Sequence, residues 1–367
     1  MKNILYGTTA LFAVGLIAGT AVASEKIKLG LGGYWRGMIQ VGDNNANAVG
    51  GAGDGLRDHG TGQESEIYFS GKTTLDNGIT VTAAVQLEGE STFGGDQIDN
   101  TWITASGGFG TVHYGETWGP SLLMVGGGVG EKNHTGDFAS FNAGVNLNGL
   151  GLNSFVGGAG LNGRPSPKLA YYTPRMSGFQ LGVSYAGEDG NAFSNGARTS
   201  ELGGGVGAEL LDAGVNYVNK VGGASVRIGL VAFTSATEPA TATAVAAPDV
   251  DGHGLGVQVS MGNITVGGRY AKLADLGGSG LDRTNWRIGV DYGMGPLSFG
   301  AVYHTAVQDF VGADDKTSYI SVGANYNVGP GVSMFGGIIS YDFEDSTNAQ
   351  SAEGDNTFGI LGTKLSF

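Results

Sequence analysis

Apolar and polar residues alternate one by one through most of this chain, and few structures can use that pattern. Ile27, Leu29, Leu31, Trp35, Ile39 and Val41 share one parity; Lys28, Tyr34, Arg36, Met38 and Gln40 share the other. The alternation returns at Ile79, Val81, Ala83, Val85 and Leu87 against Thr80, Thr82, Gln86 and Glu88, and at Trp286, Ile288, Val290 and Tyr292 against Arg287 and Asp291. Successive side chains of a strand point to opposite faces, so each such segment has one apolar and one polar face. Between Val332 and Tyr341 the parity blurs, because Ser333, Gly336 and Gly337 interrupt it.

After residue 23 no apolar run approaches the ~20 residues that a membrane-spanning helix needs. Strands that enter lipid must satisfy all their backbone groups among themselves, which leaves only a closed barrel. The alternating segments lie at 27–41, 63–75, 79–91, 97–106, 109–117, 167–175, 178–187, 206–219, 224–236, 251–261, 263–273, 284–292, 296–308, 317–328, 331–343 and 356–367. Short links such as Asp76-Asn77-Gly78, Lys220-Val221-Gly222-Gly223 and Val328-Gly329-Pro330-Gly331 alternate with long polar ones, at about 42–62, 92–96, 118–166, 188–200, 237–250, 274–283, 309–316 and 344–355. The expected fold is all-β: a transmembrane antiparallel barrel of about 16 strands, with short periplasmic turns and long external loops. A soluble sandwich or β-helix competes, but its outer face would carry more Lys and Glu than a chain with 14% charged residues offers.

Residues 1–23 read as an export signal: Lys2, an apolar stretch from Leu11 to Ala18, and Ala21-Val22-Ala23 with cleavage before Ser24. A single membrane anchor is the competing reading. Residues 24–367 would then form one barrel domain. Removing 1–23 takes the net charge from −14 to −15. So acidic a chain lacks the basic footprint that nucleic acid requires. The absence of cysteine excludes disulfides, zinc-thiolate sites and thiol chemistry. His59, His113, His134, His253 and His304 have no metal-ligand spacing, Leu29-Gly30-Leu31-Gly32-Gly33 opens no helix, and no nucleophile-elbow motif occurs. No cofactor is expected. A divalent cation such as structural Ca2+ would find its ligands among the acids of the long links.

Three segments resemble a known family. Gly108-Phe109-Gly110-Thr111-Val112-His113-Tyr114-Gly115-Glu116 resembles the strand before the constriction loop of general bacterial porins. Tyr171 through Tyr185, reading YYTPRMSGFQLGVSY, resembles the hairpin after that loop. Leu361 through Phe367, reading LGTKLSF, resembles the outer-membrane assembly signature with its terminal Phe367. The resemblance implies a homotrimer of 16-stranded barrels in the outer membrane, in contact with lipid and lipopolysaccharide. Each barrel would pass small hydrophilic solutes and ions through a bore narrowed by its third long loop. That loop would be 118–166, the longest here.

Under that reading the narrowest point would set acids of the long loop, Glu131 and Asp137, against bases of the wall. Parity turns Arg36, Lys72, Arg227, Arg269 and Arg287 inward, with Arg36 and Lys72 the favoured bases and Glu64, Glu66 and Glu88 nearby. Each of these could equally be a solvated lumen residue away from the narrowest level. Related porins often place Arg on the pore wall near the positions of His113 and Glu116, so an inherited anion preference is in doubt. The charge of −15 points to a mild cation preference. A substrate-specific channel on the same scaffold is the alternative; it would need an aromatic ladder in the lumen, and Tyr34, Tyr68, Tyr172 and Phe233 are too scattered to make one. A barrel enzyme or a blocked structural barrel are further classes, which bilayer recording separates.

Overall fold

The computed structural model describes residues 26–44, 58–89, 98–130, 166–188, 206–237, 249–275, 281–309, 314–344 and 354–367. Each alternating segment is a strand: β1 (Lys28–Asn44), β2 (His59–Thr74), β3 (Thr80–Glu88), β4 (Ile98–Gly107), β5 (Gly110–Thr117), β6 (Ser166–Tyr172), β7 (Phe179–Glu188) and β8 (Val206–Val221). There follow β9 (Ala224–Thr237), β10 (Val250–Met261), β11 (Ile264–Ala274), β12 (Arg283–Met294), β13 (Leu297–Gln308), β14 (Asp315–Gly329), β15 (Val332–Glu344) and β16 (Gly354–Ser366). One short helix, α1 (Pro120–Val125), comes after β5.

Every strand pairs antiparallel with its neighbour in sequence, and β1 also pairs with β16, so the sheet has no edge. The seam is fastened at the chain end: Gly33 N–H donates to Phe367 O at 3.0 Å, and Phe367 N–H returns to Gly33 O at 3.1 Å. A closed ladder leaves no strand-edge N–H or C=O facing hydrocarbon, where each would cost several kcal/mol (~2–7).

The two faces follow the parity of the sequence. Trp35, Ile67, Phe69, Leu230, Ile288, Val322, Ile338 and Leu361 are exposed on the outside, an apolar surface far too large for water. Arg36, Lys168, Asp212, Asn285, Arg287 and Ser321 are buried on the inside. The blurred stretch in β15 resolves in the same way: Met334 and Ile338 face out, while Phe335, Ile339 and Tyr341 face in and are buried. Its parity was unreadable because this sector of the lumen wall is itself apolar, with His304, Tyr319, Tyr341 and Phe358 in ring contact across β13 to β16.

Strand ends differ by a few residues from the sequence reading. β1 runs on to Asn44 and β2 begins at His59, because polar residues keep pairing above the lipid. β6 stops at Tyr172 rather than 175, since Pro174 has no N–H to give the ladder. The short links are tight turns. In the β8–β9 turn Gly222 and Gly223 both take positive φ, 55° and 85°, as a two-residue turn between right-twisted strands demands. Residues 1–23 and most of the long links lie outside the described residues.

The lipid face carries a testable cost. Ile288→Arg, at a position 54% exposed on the outer face, is expected to destabilise the barrel by about 2–4 kcal/mol if it sits near the bilayer midplane. Thr82→Arg, on the lumen face, is expected to cost less than about 1 kcal/mol. Urea unfolding in lipid vesicles reads both; equal costs would refute the assignment of faces.

Candidate functional site

Behind Thr117 the chain turns into the barrel instead of away from it. Trp118 and Gly119 lead to α1, which packs on β7, β8, β9 and β10, and residues 126–130 continue along β10 to β13. Met124, Val125 and Val129 are buried there. Met124 and Val125 join Tyr172, Leu210, Val231, Phe233 and Leu273 in a core inside the lumen.

The wall is shaped for this segment by missing side chains. Gly182 on β7, Gly214 on β8, Gly229 on β9, Gly256 on β10, Gly267 on β11 and Gly289 on β12 face inward. They stand directly opposite one another in three pairs: Gly182 with Gly214, Gly229 with Gly256, and Gly267 with Gly289. A Cβ at Gly229 would collide with the carbonyl oxygens of Met124 and Val125, one at Gly256 with that of Val125, and one at Gly289 with that of Val129. At Gly182 it would meet Met124 Sδ at 2.5 Å, and at Gly267 Val129 Cγ2 at 2.6 Å. Together they make a groove in which loop backbone lies on strand backbone.

Charged side chains fasten the segment. Asp212, 1% exposed, accepts from Ser121 N–H at 2.9 Å and 3.1 Å and from Ser121 Oγ–H at 2.9 Å. Lys168 on β6, also 1% exposed, acts on the Asp212 charge. Further along, Arg227 Nη2 donates to Leu123 O at 2.7 Å, Arg269 Nε donates to Gly126 O, and Arg287 Nη2 donates to Val129 O at 3.2 Å. Gly130 N–H donates to Asp291 Oδ1 at 3.1 Å.

Across the bore, β1 to β4 carry acids. Tyr34 OH lies 2.7 Å from Glu64 Oε1 and 2.8 Å from Glu66 Oε1, sharing one proton between two carboxylates. Arg36 forms an ion pair with Glu64. Glu66 stands directly opposite Glu88 on the next strand. The Lys364 ammonium lies 4.1 Å from the centre of the Tyr34 ring.

The residues singled out from sequence separate into groups. Arg36, Glu64, Glu66 and Glu88 come together on the acidic wall. Arg227, Arg269 and Arg287 project inward and donate to loop carbonyls. Lys72 faces inward beside Lys28 near the short-turn end. Six residues of strand, roughly 20 Å at ~3.3 Å per residue, separate it from Glu66. His113 faces the lumen, its ring 5.4 Å from that of Tyr172. Glu116 does not line the bore: it pairs with Thr101, on the outward face shared by Tyr114 and Ile103. Three positions from His113 is an odd step, and a strand's period of two must put the two residues on opposite faces. Glu131 and Asp137 lie outside the described residues. Phe367 is exposed on the outer face at the seam. Among the described residues no group of three or more His, Cys, Asp and Glu side chains is placed to hold a metal ion.

Sequence reasoning missed Asp212, Lys168 and the glycine groove. A signal existed. Asp212 is a lone acid within Leu210-Leu211-Asp212-Ala213-Gly214-Val215, and the glycines of β9, β10 and β12 each sit between two outward apolar residues.

Comparison with known proteins agrees with this architecture. A family profile described as Gram-negative porin matches residues 7–346. Among solved structures, the anion-selective porin from Comamonas acidovorans is similar with a TM-score of 0.64 at 18% identity, over 93% of this chain and 100% of that one. The Vibrio cholerae outer-membrane protein OmpT in its trimer form gives 0.61 at 16% identity, over 94% and 100%. Salmonella typhi OmpF in complex with daunomycin gives 0.63 at 14% identity, over 93% and 98%. A sequence search of curated proteins finds no match.

If glycine backbone contact holds the segment inside, Gly229→Val should displace it and raise single-channel conductance by about 1.5-fold or more, with the barrel intact. Asp212→Ala removes charge-assisted hydrogen bonds worth about 1.5–3 kcal/mol each and should give flickering between conductance levels. Unchanged, quiet openings in both variants would show that the loop is held by something else.

Proposed function

The chain belongs to the Gram-negative porin family, and on that premise we propose that its bore favours cations, selected by the acids of β2 and β3. The protein is an outer-membrane porin that lets small hydrophilic solutes diffuse passively through a water-filled pore. Such a channel excludes by the size of its narrowest section and selects by the charges fixed there.

One observation carries the proposal: the two walls present their charges differently. On the acidic side Glu66 and Glu88 stand opposite each other with Glu64 beside them, and Arg36 forms an ion pair with Glu64. On the other side Arg227, Arg269 and Arg287 lie against the carbonyls of residues 123–129. A permeating ion therefore meets carboxylates on one wall and, on the other, guanidiniums hydrogen-bonded to loop carbonyls. Low-dielectric walls focus such a field. A potential of one kT at the narrowest level enriches cations and depletes anions by the same factor, a permeability ratio of about 7. The selectivity named for the Comamonas protein does not carry over, because identity of 18% transfers the fold alone.

Self-association belongs to the same proposal. The outer face of β2, β4 and β5 places Thr61, Gln63, Ser65, Thr101 and Glu116 where the rest of the barrel shows aliphatic and aromatic side chains. Such groups suit protein better than lipid, and a trimer packed through this face would cover them. The protein is taken to perform no chemistry; transport is diffusion down a gradient.

Reversal potentials in a tenfold KCl gradient test the selectivity. The unmodified protein should prefer K+ by several-fold, and Glu66→Gln with Glu88→Gln should bring the ratio towards one. A clear chloride preference in the unmodified channel would refute the proposal.

A further inference from the structure

Resting on the porin reading, we propose that this pore is a rectifier, conducting better when the side of the long loops is positive than when it is negative. The carrying observation is an axial sorting of charge, separate from the transverse arrangement at the constriction. Near the short-turn end, Lys28, Lys72, Lys220 and Lys364 occupy inward positions within two residues of the ends of their strands. Arg175 adds a further base in the β6–β7 turn. Against these, the described acids at that end are Asp76 in the first turn and Asp291, which is bonded to Gly130 N–H.

The long-loop end is the reverse. Its described bases are Lys168, which acts on the Asp212 charge, and Lys272, Arg283 and Lys316. Lys272 Nζ lies 2.7 Å from Asp282 Oδ2, Lys316 Nζ lies 2.8 Å from Glu344 Oε1, and Arg283 donates to Gln308 Oε1 at 3.1 Å. At the same rim stand Asp249, Asp275, Asp309 and Asp314, with Asp251 and Asp342 at outward positions of β10 and β15. Folding does not ask for this. Lys28 and Lys72 stand directly opposite each other on paired strands, where like charges destabilise.

A bore that is acidic at one mouth and basic at the other conducts unequally in the two directions. Each mouth enriches ions of opposite sign to its own and excludes the rest. With the acidic mouth positive, cations enter through it and anions enter through the basic mouth. Both are driven towards the middle, so carriers accumulate. With the polarity reversed, both are swept outwards, and neither mouth admits the replacements. The effect needs a Debye length comparable with the bore, so it holds at about 0.1 M salt (~10 Å) and fades near 1 M (~3 Å).

The test is single-insertion bilayer recording of the full protein with its orientation known. The chain has no cysteine. Asn263→Cys in the exposed β10–β11 turn therefore gives one thiol, and a membrane-impermeant reagent added to one chamber reports which side the turns face. At ~0.1 M KCl the current with the long-loop side positive should exceed the reverse current by about 1.5- to 2-fold, and the ratio should approach one near 1 M. Lys28→Gln, Lys72→Gln and Lys220→Gln combined should lower the low-salt ratio towards one while conductance at high salt stays unchanged. Symmetric current at low salt, rectification of the opposite sign, or an unaltered ratio in the triple variant would overturn the inference while leaving a porin. Absence of any conductance would overturn the porin reading itself.

Discussion

The bore is what it is because a stretch of loop backbone lies directly on strand backbone. Six inward glycines on six consecutive strands strip the wall from β7 to β12 of Cβ atoms, and residues 119–130 occupy the space. Water could satisfy the same carbonyls and amides, so hydrogen bonding alone would not keep the loop there. Its net contribution is small, about 0.5–1.5 kcal/mol per neutral bond and ~1.5–3 where one partner is charged. Two features raise the balance. Met124 and Val125 bury apolar surface against Tyr172, Leu210, Val231 and Phe233, and the donors and acceptors that meet the loop are ionised. Asp212 acts where the helix begins and the guanidiniums act on the carbonyls that follow, each matching the sign of the backbone group it faces.

That docking decides which charges the solute meets. A carbonyl accepts a hydrogen bond from a guanidinium without neutralising it, so Arg227, Arg269 and Arg287 keep their charge while bound to the loop backbone. The acids of β2 and β3 lie away from the strands that α1 packs on, β7 to β10. Narrowing and selectivity thus come from one arrangement: the segment that reduces the section also takes up hydrogen bonds of the basic wall.

The strands were legible because alternation is a one-dimensional signal, and lipid enforces it on the outer face of every strand. Ile288, Leu255 and Trp35 had to face out whatever their neighbours were. Where the inner face is apolar as well, as at Phe335 and Ile339, the same signal vanished. The site was less legible, because it is a juxtaposition and not a period. Parity put Arg269 and Arg287 in the lumen but could not show that a carbonyl would lie in front of each. It gave Lys72 the right face, while its height relative to Glu66 depends on strand ends. Glu116 lies an odd number of residues from His113, so the pore-wall position that the resemblance implies for both can hold for only one of them.

Among the described residues five pairs of like charges stand directly opposite one another on neighbouring strands: Lys28 with Lys72, Arg36 with Lys364, Glu66 with Glu88, Arg269 with Arg287, and Asp342 with Asp355. Each such pair costs stability, by amounts on the order of 0.2–1 kcal/mol. A small soluble domain, held by a margin of about 5–15 kcal/mol, has little room for several. A closed barrel in lipid differs, because opening one strand pair exposes unsatisfied backbone to hydrocarbon. The ladder and the outer face hold the fold, so the lumen charges are released from contributing to it. The pairs are also sorted by position: Lys28 and Lys72 stand at the short-turn mouth, Arg36 and Lys364 beside the acids of β2, Glu66 and Glu88 on the acidic wall, Arg269 and Arg287 against the loop, and Asp342 and Asp355 at the long-loop rim. Charges that oppose folding and yet are sorted by position are set by what passes between them.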